Sequence, residues 1–188
     1  MIRGFADSQV TGDSILVGNS ASAENNHIDS FSLLHQIGVD DRKVITPLSY
    51  GDARYRDLIL IKGREFLREC FEPLIDFMPI SEYVRVLESC GFVVMNHVRQ
   101  QAVGNIVIML YLGAKVFVRK ECPTYAYFKE QGAVIFSIQE LERNPGLLNE
   151  RLDQESVNVN RKIVKRNWSK EASDRKTINL LRQVCKIS

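Results

Sequence analysis

Two phosphate-binding signatures are missing from this chain. It holds no G-x-G-x-x-G and no G-x-x-x-x-G-K-[ST], which argues against a dinucleotide dehydrogenase, a sugar epimerase carrying that fingerprint and a P-loop NTPase. No D-x-D pair is present to carry a metal-bound nucleotide sugar, and no G-x-S-x-G elbow to carry a serine nucleophile. Cys70, Cys90, Cys122 and Cys185 lie far apart without a C-x-x-C, and the only histidines are His27, His35 and His97. Neither a metal site nor a cofactor is therefore expected, and a reduced, cytoplasmic setting is the simplest reading. No apolar run approaches the roughly 18 residues of a membrane span, and the first twelve residues have no signal-peptide core. With a formal charge of only +2 and no aromatic-plus-basic pattern, nucleic acid is not the expected partner.

What is present is enough for one well-cored domain: 188 residues, 45% of them hydrophobic. Short apolar, β-branched stretches at 14–18, 43–48, 71–77, 92–97, 115–119 and 133–137 alternate with helical periodicity at 27–38, 53–69, 81–91, 106–112, 123–131 and from 139 onward. Gly38 and Gly91 read as C-caps, Ser81 as an N-cap, and Pro123 suits a first helical turn. Gly63 weakens its helix, and Pro73 places the start of the third strand outside the ladder. Strands spaced by helices predict an α/β fold, a doubly wound Rossmann-like parallel sheet of about six strands with C-terminal helices. Residues 1–12 read as a linker or fragment start, 13–157 as the domain, and 158–188 as a basic helical tail. The tail carries Arg161, Lys162, Lys165, Arg166, Lys170, Arg175, Lys176, Arg182 and Lys186 against Glu171 and Asp174. It reads either as a solvated face or as one drawn to an anionic membrane surface or a partner.

In such a sheet, ligands bind outside the carboxyl ends of the strands. Three loops there are unusually polar: 18–27, 49–52 with Tyr50, and 97–105. The last of them, Arg99-Gln100-Gln101-Ala102-Val103-Gly104-Asn105, opens an apolar helix. A helix start offers free backbone N–H groups and the positive end of the dipole. Arg99 can pair with a phosphate, Gln100 and Gln101 can donate amide hydrogen bonds, and Gly104 and Asn105 can present N–H groups, so a diphosphate is the expected ligand. His27 and His97 fall where they can reach the same crevice or serve as satisfied semi-buried groups, whereas His35 reads as structural. Asn25 and Asn26 read equally well as helix caps.

These residues carry a resemblance. Ile15-Leu16-Val17-Gly18-Asn19-Ser20, then Asn25-Asn26-His27-Ile28, with Arg99-Gln100-Gln101 and Gly104 ahead of the apolar helix, resemble the 4-acetamido-4,6-dideoxygalactose (Fuc4NAc) transferases of glycosyltransferase family 56. The likeness runs over about 14–137. It implies transfer of Fuc4NAc from a dTDP-sugar to a lipid-linked saccharide in the making of enterobacterial common antigen. It also implies a GT-B architecture, two Rossmann-like halves across a cleft, of which this chain is the C-terminal, donor-binding half. The acceptor, and commonly the base, would then belong to a missing N-terminal half, and the chain alone would bind donor with little or no transfer. Asn19, Ser20, Asn26 and His27 would line the cleft near phosphate or sugar. A base would come from near Phe77-Met78-Pro79 or from Lys120-Glu121-Cys122, with Glu121 toward a sugar hydroxyl; no catalytic residue is assigned. Peripheral contact with the inner face of the bacterial inner membrane is part of the same expectation. The rival reading is a non-catalytic Rossmann-like interaction domain that docks a partner or membrane through its basic tail.

Overall fold

The structure, a computed structural model, describes residues 8–184. Six parallel strands, β1 (Ser14–Val17), β2 (Val44–Pro47), β3 (Phe71–Leu74), β4 (Cys90–Met95), β5 (Lys115–Val118) and β6 (Phe136–Ser137), form one sheet in the order β3-β2-β1-β4-β5-β6. Between and after them run α1 (His27–Ile37), α2 (Ala53–Leu67), α3 (Ile80–Glu88), α4 (Val103–Leu112), α5 (Pro123–Glu130), α6 (Ile138–Arg143), α7 (Gln154–Trp168) and α8 (Lys170–Val184). This is the doubly wound Rossmann-like fold that the alternation predicts. The central strands β1, β2, β4 and β5 bury both faces, as a parallel sheet covered on two sides requires. Ile15 and Val17 of β1 pack with Phe31, Leu34, Ile59 and Phe71, whereas Leu16 between them packs with Val107, Leu110 and Ile163 on the other side. Among the described residues, no helix is long and apolar enough to cross a membrane.

Several boundaries differ from expectation for identifiable reasons. α3 begins after Pro79, not at Ser81, and its C-cap is Ser89, not Gly91. Gly91 belongs to β4 at a shift in the β1–β4 register. A Cβ there would stand 2.7 Å from the Gly12 carbonyl oxygen, so the strand kinks where only glycine fits. Pro73 is inside the ladder, opposite Thr46. It is tolerated because β3 is an edge strand. Gly63 does not interrupt α2: a Cβ at that position would come within 2.3 Å of the Phe71 ring, so the glycine admits the ring against the helix.

The segment before β1 and the helix α7 are tied to the domain. Residues 1–7 of the expected linker, like Cys185 and Lys186 of the tail, lie outside the described residues. Val10 N–H donates to the Leu112 carbonyl and Thr11 N–H to that of Glu88. α7 begins at Gln154, so the expected division at 157/158 falls within it. Its Val157, Asn160, Ile163 and Val164 are buried. The Asn160 amide fills both backbone needs of Val134, donating to its carbonyl at 2.9 Å and accepting from its N–H at 2.8 Å. A helix whose apolar stripe and one buried amide are both used up inside the domain is part of that domain's core. α8 is different: only Ala172 is buried, and Ile178, Leu180, Leu181 and Val184 face outward.

Candidate functional site

The strand order reverses direction between β1 and β4, and in this topology a crevice opens there at the carboxyl edge. The three polar loops meet at that point. Asn19 joins all of them: its amide donates to the Tyr50 hydroxyl at 3.0 Å, and its carbonyl oxygen accepts from the Gln101 amide at 3.3 Å. The first two loops are also stitched through the backbone. Ala21 N–H donates to the Tyr50 carbonyl and Asp52 N–H to the Ala21 carbonyl, both at 2.8 Å. Gly51 takes φ +120° in this bridge, and a Cβ there would stand 2.4 Å from the Ala21 oxygen. The crevice wall is therefore rigid on its β1–β2 side.

On its β4 side the wall ends in α4. Ala102 adopts the left-handed conformation as the N-cap, and the first helical hydrogen bond runs from Ile106 N–H to the Ala102 carbonyl. Val103, Gly104 and Asn105 thus have no acceptor within the helix for their N–H groups. Nothing lies within 4 Å of where a Cβ of Gly104 would be, so that side of the helix start faces open space. Arg99 is exposed just ahead of it and forms an ion pair with Glu24 from the β1 loop. Asn105 donates its amide to the Tyr83 hydroxyl at 3.4 Å, and burial holds that phenol's pKa above its usual value. Gln100 turns to the opposite flank of α4, beside Val103, Thr124, Tyr127 and Trp168.

The floor is polar, buried and incompletely paired. Ser20 is buried and receives the Asn25 amide on its carbonyl and hydroxyl oxygens, which fixes the loop. Asn26 caps α1 in the left-handed conformation, yet its side chain does not cap; the amide donates to the Asn96 carbonyl at 2.8 Å and so crosses from β1 to β4. Asn96 also accepts from Arg119 Nε at 2.8 Å. His27 is fully buried, with Nδ1 at 3.2 Å from the Tyr55 hydroxyl and Nε2 against Gly18, and burial lowers its pKa to about 4. His97 is also enclosed, and burial, opposed in part by the Gln101 backbone, lowers its pKa to about 4. Polar atoms without a hydrogen-bond partner lie here: Asn25 Oδ1, His27 Nε2, Thr46 Oγ1 and Gln101 Oε1. Buried polar groups are ordinarily paired, so these atoms are available to a ligand or to ordered water.

Beside the helix start lies a cavity of about 240 Å³ walled by Asn19, Pro47, Ser49, Tyr50, Phe77, Met78, Ile80, Tyr83 and Asn105. Its rim is aromatic and apolar, and Phe77 is 90% exposed there. Asn19, Tyr50, Gln101 and Asn105 of the expected set are thus brought to one crevice, and Arg99 and Gly104 stand at its mouth. Ser20 and His27 lie buried in its floor beside the half-buried Asn26, and Gln100 faces away. Glu121 is on the surface, accepting from Gln139 at 2.8 Å. Sequence reasoning passed over Asn96, Tyr83 and Glu24. Asn96 was hidden inside a strand expected to run to 97, although its place one residue beyond β4 would have put it on the edge. Nothing local in the sequence signals Tyr83 or Glu24.

The sequence pattern of the family described as "4-alpha-L-fucosyltransferase glycosyl transferase group 56" matches residues 5–166 of the chain. Among solved structures, the fold is similar to that of AviGT4, a glycosyltransferase involved in avilamycin A biosynthesis, at 15% identity and a TM-score of 0.67, over 98% of this chain and 55% of that one. It is also similar to a glycosyltransferase from Rickettsia africae ESF-5 at 11% identity and a TM-score of 0.76, over 97% of this chain and 49% of that one. The chain therefore spans about half the length of these two glycosyltransferases.

Proposed function

Because the chain belongs to glycosyltransferase family 56, we propose that its carboxyl-edge crevice binds a nucleotide-sugar donor and that the diphosphate lies at the start of α4. The observation that carries this reading is the coincidence, at one switch point, of the free N–H groups of α4, the exposed Arg99 and the unpaired buried polar atoms of the floor. The nucleoside then extends into the cavity beside Tyr50, Phe77 and Tyr83, whose aromatic rim suits a flat base and whose Asn19 and Asn105 amides suit its polar edge. In transfer, the bond between the anomeric carbon and the diphosphate oxygen breaks, a bond from that carbon to an acceptor oxygen forms, and the acceptor hydroxyl gives its proton to a base. The α4 N–H groups and Arg99 then stabilise the charge that collects on the departing diphosphate. A metal is not required for that role.

The motif resemblance favours dTDP as the carrier and Fuc4NAc as the sugar, a 6-deoxygalactose derivative like the fucosyl group in the family's description. On this reading the acceptor is a lipid-linked saccharide held by a second half of a GT-B enzyme, in synthesis of a surface polysaccharide akin to enterobacterial common antigen. Residues 13–157 with the remainder of α7 constitute the donor domain. Calorimetric titration of this chain with dTDP is expected to give a micromolar dissociation constant, since each charged hydrogen bond contributes roughly 1.5–3 kcal/mol. dTMP, which lacks the second phosphate, should bind at least tenfold more weakly, on the order of one such bond. Absence of binding by dTDP and UDP at millimolar concentration would remove the donor-site reading.

One observation favours a second role, that of peripheral docking. α8 exposes Ile178, Leu180, Leu181 and Val184 on one side and carries Arg175, Lys176 and Arg182 elsewhere on its surface, a composition suited to the inner face of an anionic bilayer. The chain should co-sediment with vesicles containing anionic phospholipid and should cease to do so when Leu181 and Val184 are both replaced by aspartate. Equal sedimentation of the two proteins, or none of either, would exclude this face.

A further inference from the structure

The guanidinium best placed for the donor's diphosphate is already engaged. Arg99 reaches across the mouth of the crevice to Glu24, which stands 75 positions earlier in the chain, in a short 3-10 turn over Ala23–Asn25. Both partners are held from behind. The Ser22 hydroxyl donates to the same Glu24 oxygen at 3.3 Å, and the Cys122 thiol donates to the Arg99 carbonyl at 3.4 Å. The pair joins the loop after β1 to the loop before α4, the two loops between which the ligand must lie. It is also solvent-exposed, with the side chains of Arg99 and Glu24 at 69% and 44%. Water and salt screen an exposed pair of this kind, so it is weak. A carboxylate carries one negative charge, whereas a diphosphate presents more charge and more acceptor oxygens to the same planar fork.

We propose that Glu24 is a placeholder for the donor's diphosphate: it holds Arg99 at the crevice mouth when the site is empty and yields the guanidinium when the diphosphate arrives. This rests on the donor-site reading and adds a positioning residue to it. Three consequences follow from the chemistry. Diphosphate and Glu24 compete for one cation, so Glu24 lowers donor affinity. Once displaced, the Glu24 carboxylate stands near a like charge, so its side chain swings away from the crevice mouth. Because Asn25 anchors the turn at Ala23–Asn25 to Ser20, and the next residue, Asn26, anchors it to Asn96, the movement is confined to that side chain.

The test is a double-mutant cycle by calorimetry with dTDP, using the whole chain and the variants Glu24→Gln, Arg99→Ala and their combination. Glu24→Gln keeps the shape and removes the charge, and it is expected to bind dTDP roughly twofold to fivefold more tightly than wild type, the upper part of the range of an exposed ion pair. In the Arg99→Ala background the same substitution should change affinity by less than about twofold, since only through-space repulsion remains. Unchanged or weaker binding by Glu24→Gln, or an equal gain in both backgrounds, overturns the placeholder. If wild type itself does not bind dTDP, it is the donor-site reading that fails, and the two failures are thereby told apart. Circular dichroism of each variant checks that the fold is retained.

Discussion

Lowering the pH from 7 to 5 is expected to remove about 4 kcal/mol of folding stability from this protein through two histidines alone, an estimate from the linkage of protonation to unfolding. His27 and His97 are both enclosed, and burial lowers each folded pKa from 6.5 to about 4. The sign follows from proton uptake. Below pH 6.5 the unfolded chain takes up a proton at each imidazole and the folded one does not, so acid favours unfolding. The contribution is fully present above about 6.5 and is lost as the pH falls toward 4, by about 2 kcal/mol per histidine at pH 5 and about 3 at pH 4. Small domains have only about 5–15 kcal/mol in total, so the urea midpoint should fall steeply over this range. At pH 5 most carboxylates are still ionised, which keeps the effect attributable to imidazole. Replacement of His97 by glutamine should halve the slope of stability against pH, whatever it does at pH 7. Equal midpoints at pH 7 and 5 would show that neither ring is held neutral.

The same two residues show why a parallel α/β sheet is easier to read from sequence than the site it carries. The sheet is written locally: β-branched runs, a capping glycine at Gly38 and a proline at the first turn of α5 each state their structure within a few residues. The capping box of Ser137 and Glu140 is equally local, and it fixes the start of α6 directly at the end of β6. The errors in boundaries came from residues whose reason is distant. Gly91 looked like a C-cap because the approach of Gly12 is invisible in sequence, and Gly63 looked like a helix breaker because Phe71 is what fills its space.

The site is almost wholly of this second kind. Its residues are legible as a class, polar loops at the carboxyl ends of strands, since the fold alone dictates where ligands go. Which side chain does what depends on partners from other loops. Asn26 reads as a cap or a cleft residue, and its side chain bridges to Asn96; His27 reads as a crevice or a semi-buried residue, and it lies buried in the floor against Tyr55 and Gly18. Arg99 looked free, and no periodicity could have announced Glu24. Such cross-loop pairs are also what make the floor rigid, and rigidity is what allows fixed dipoles to stabilise a developing charge without reorganising.

The weight of the proposal therefore falls on Arg99, and replacing it with alanine is expected to raise the dTDP dissociation constant about a hundredfold. A bidentate guanidinium makes two charged hydrogen bonds to a diphosphate, each contributing roughly 1.5 kcal/mol or more, and 1.4 kcal/mol is tenfold in affinity. The free N–H groups of α4 remain in the variant, so binding should weaken and not vanish. Arg99→Lys should recover only part of the loss, because an ammonium cannot form the fork. Fold stability should change little, since the side chain is exposed and its ion pair with Glu24 is of the weakly stabilising kind. The discriminating pattern is the ligand: the penalty should be large for dTDP and much smaller for thymidine, which has no phosphate for Arg99 to hold. An equal penalty for both would mean that the residue shapes the cavity and not the diphosphate site. No penalty for either would place the diphosphate away from the start of α4.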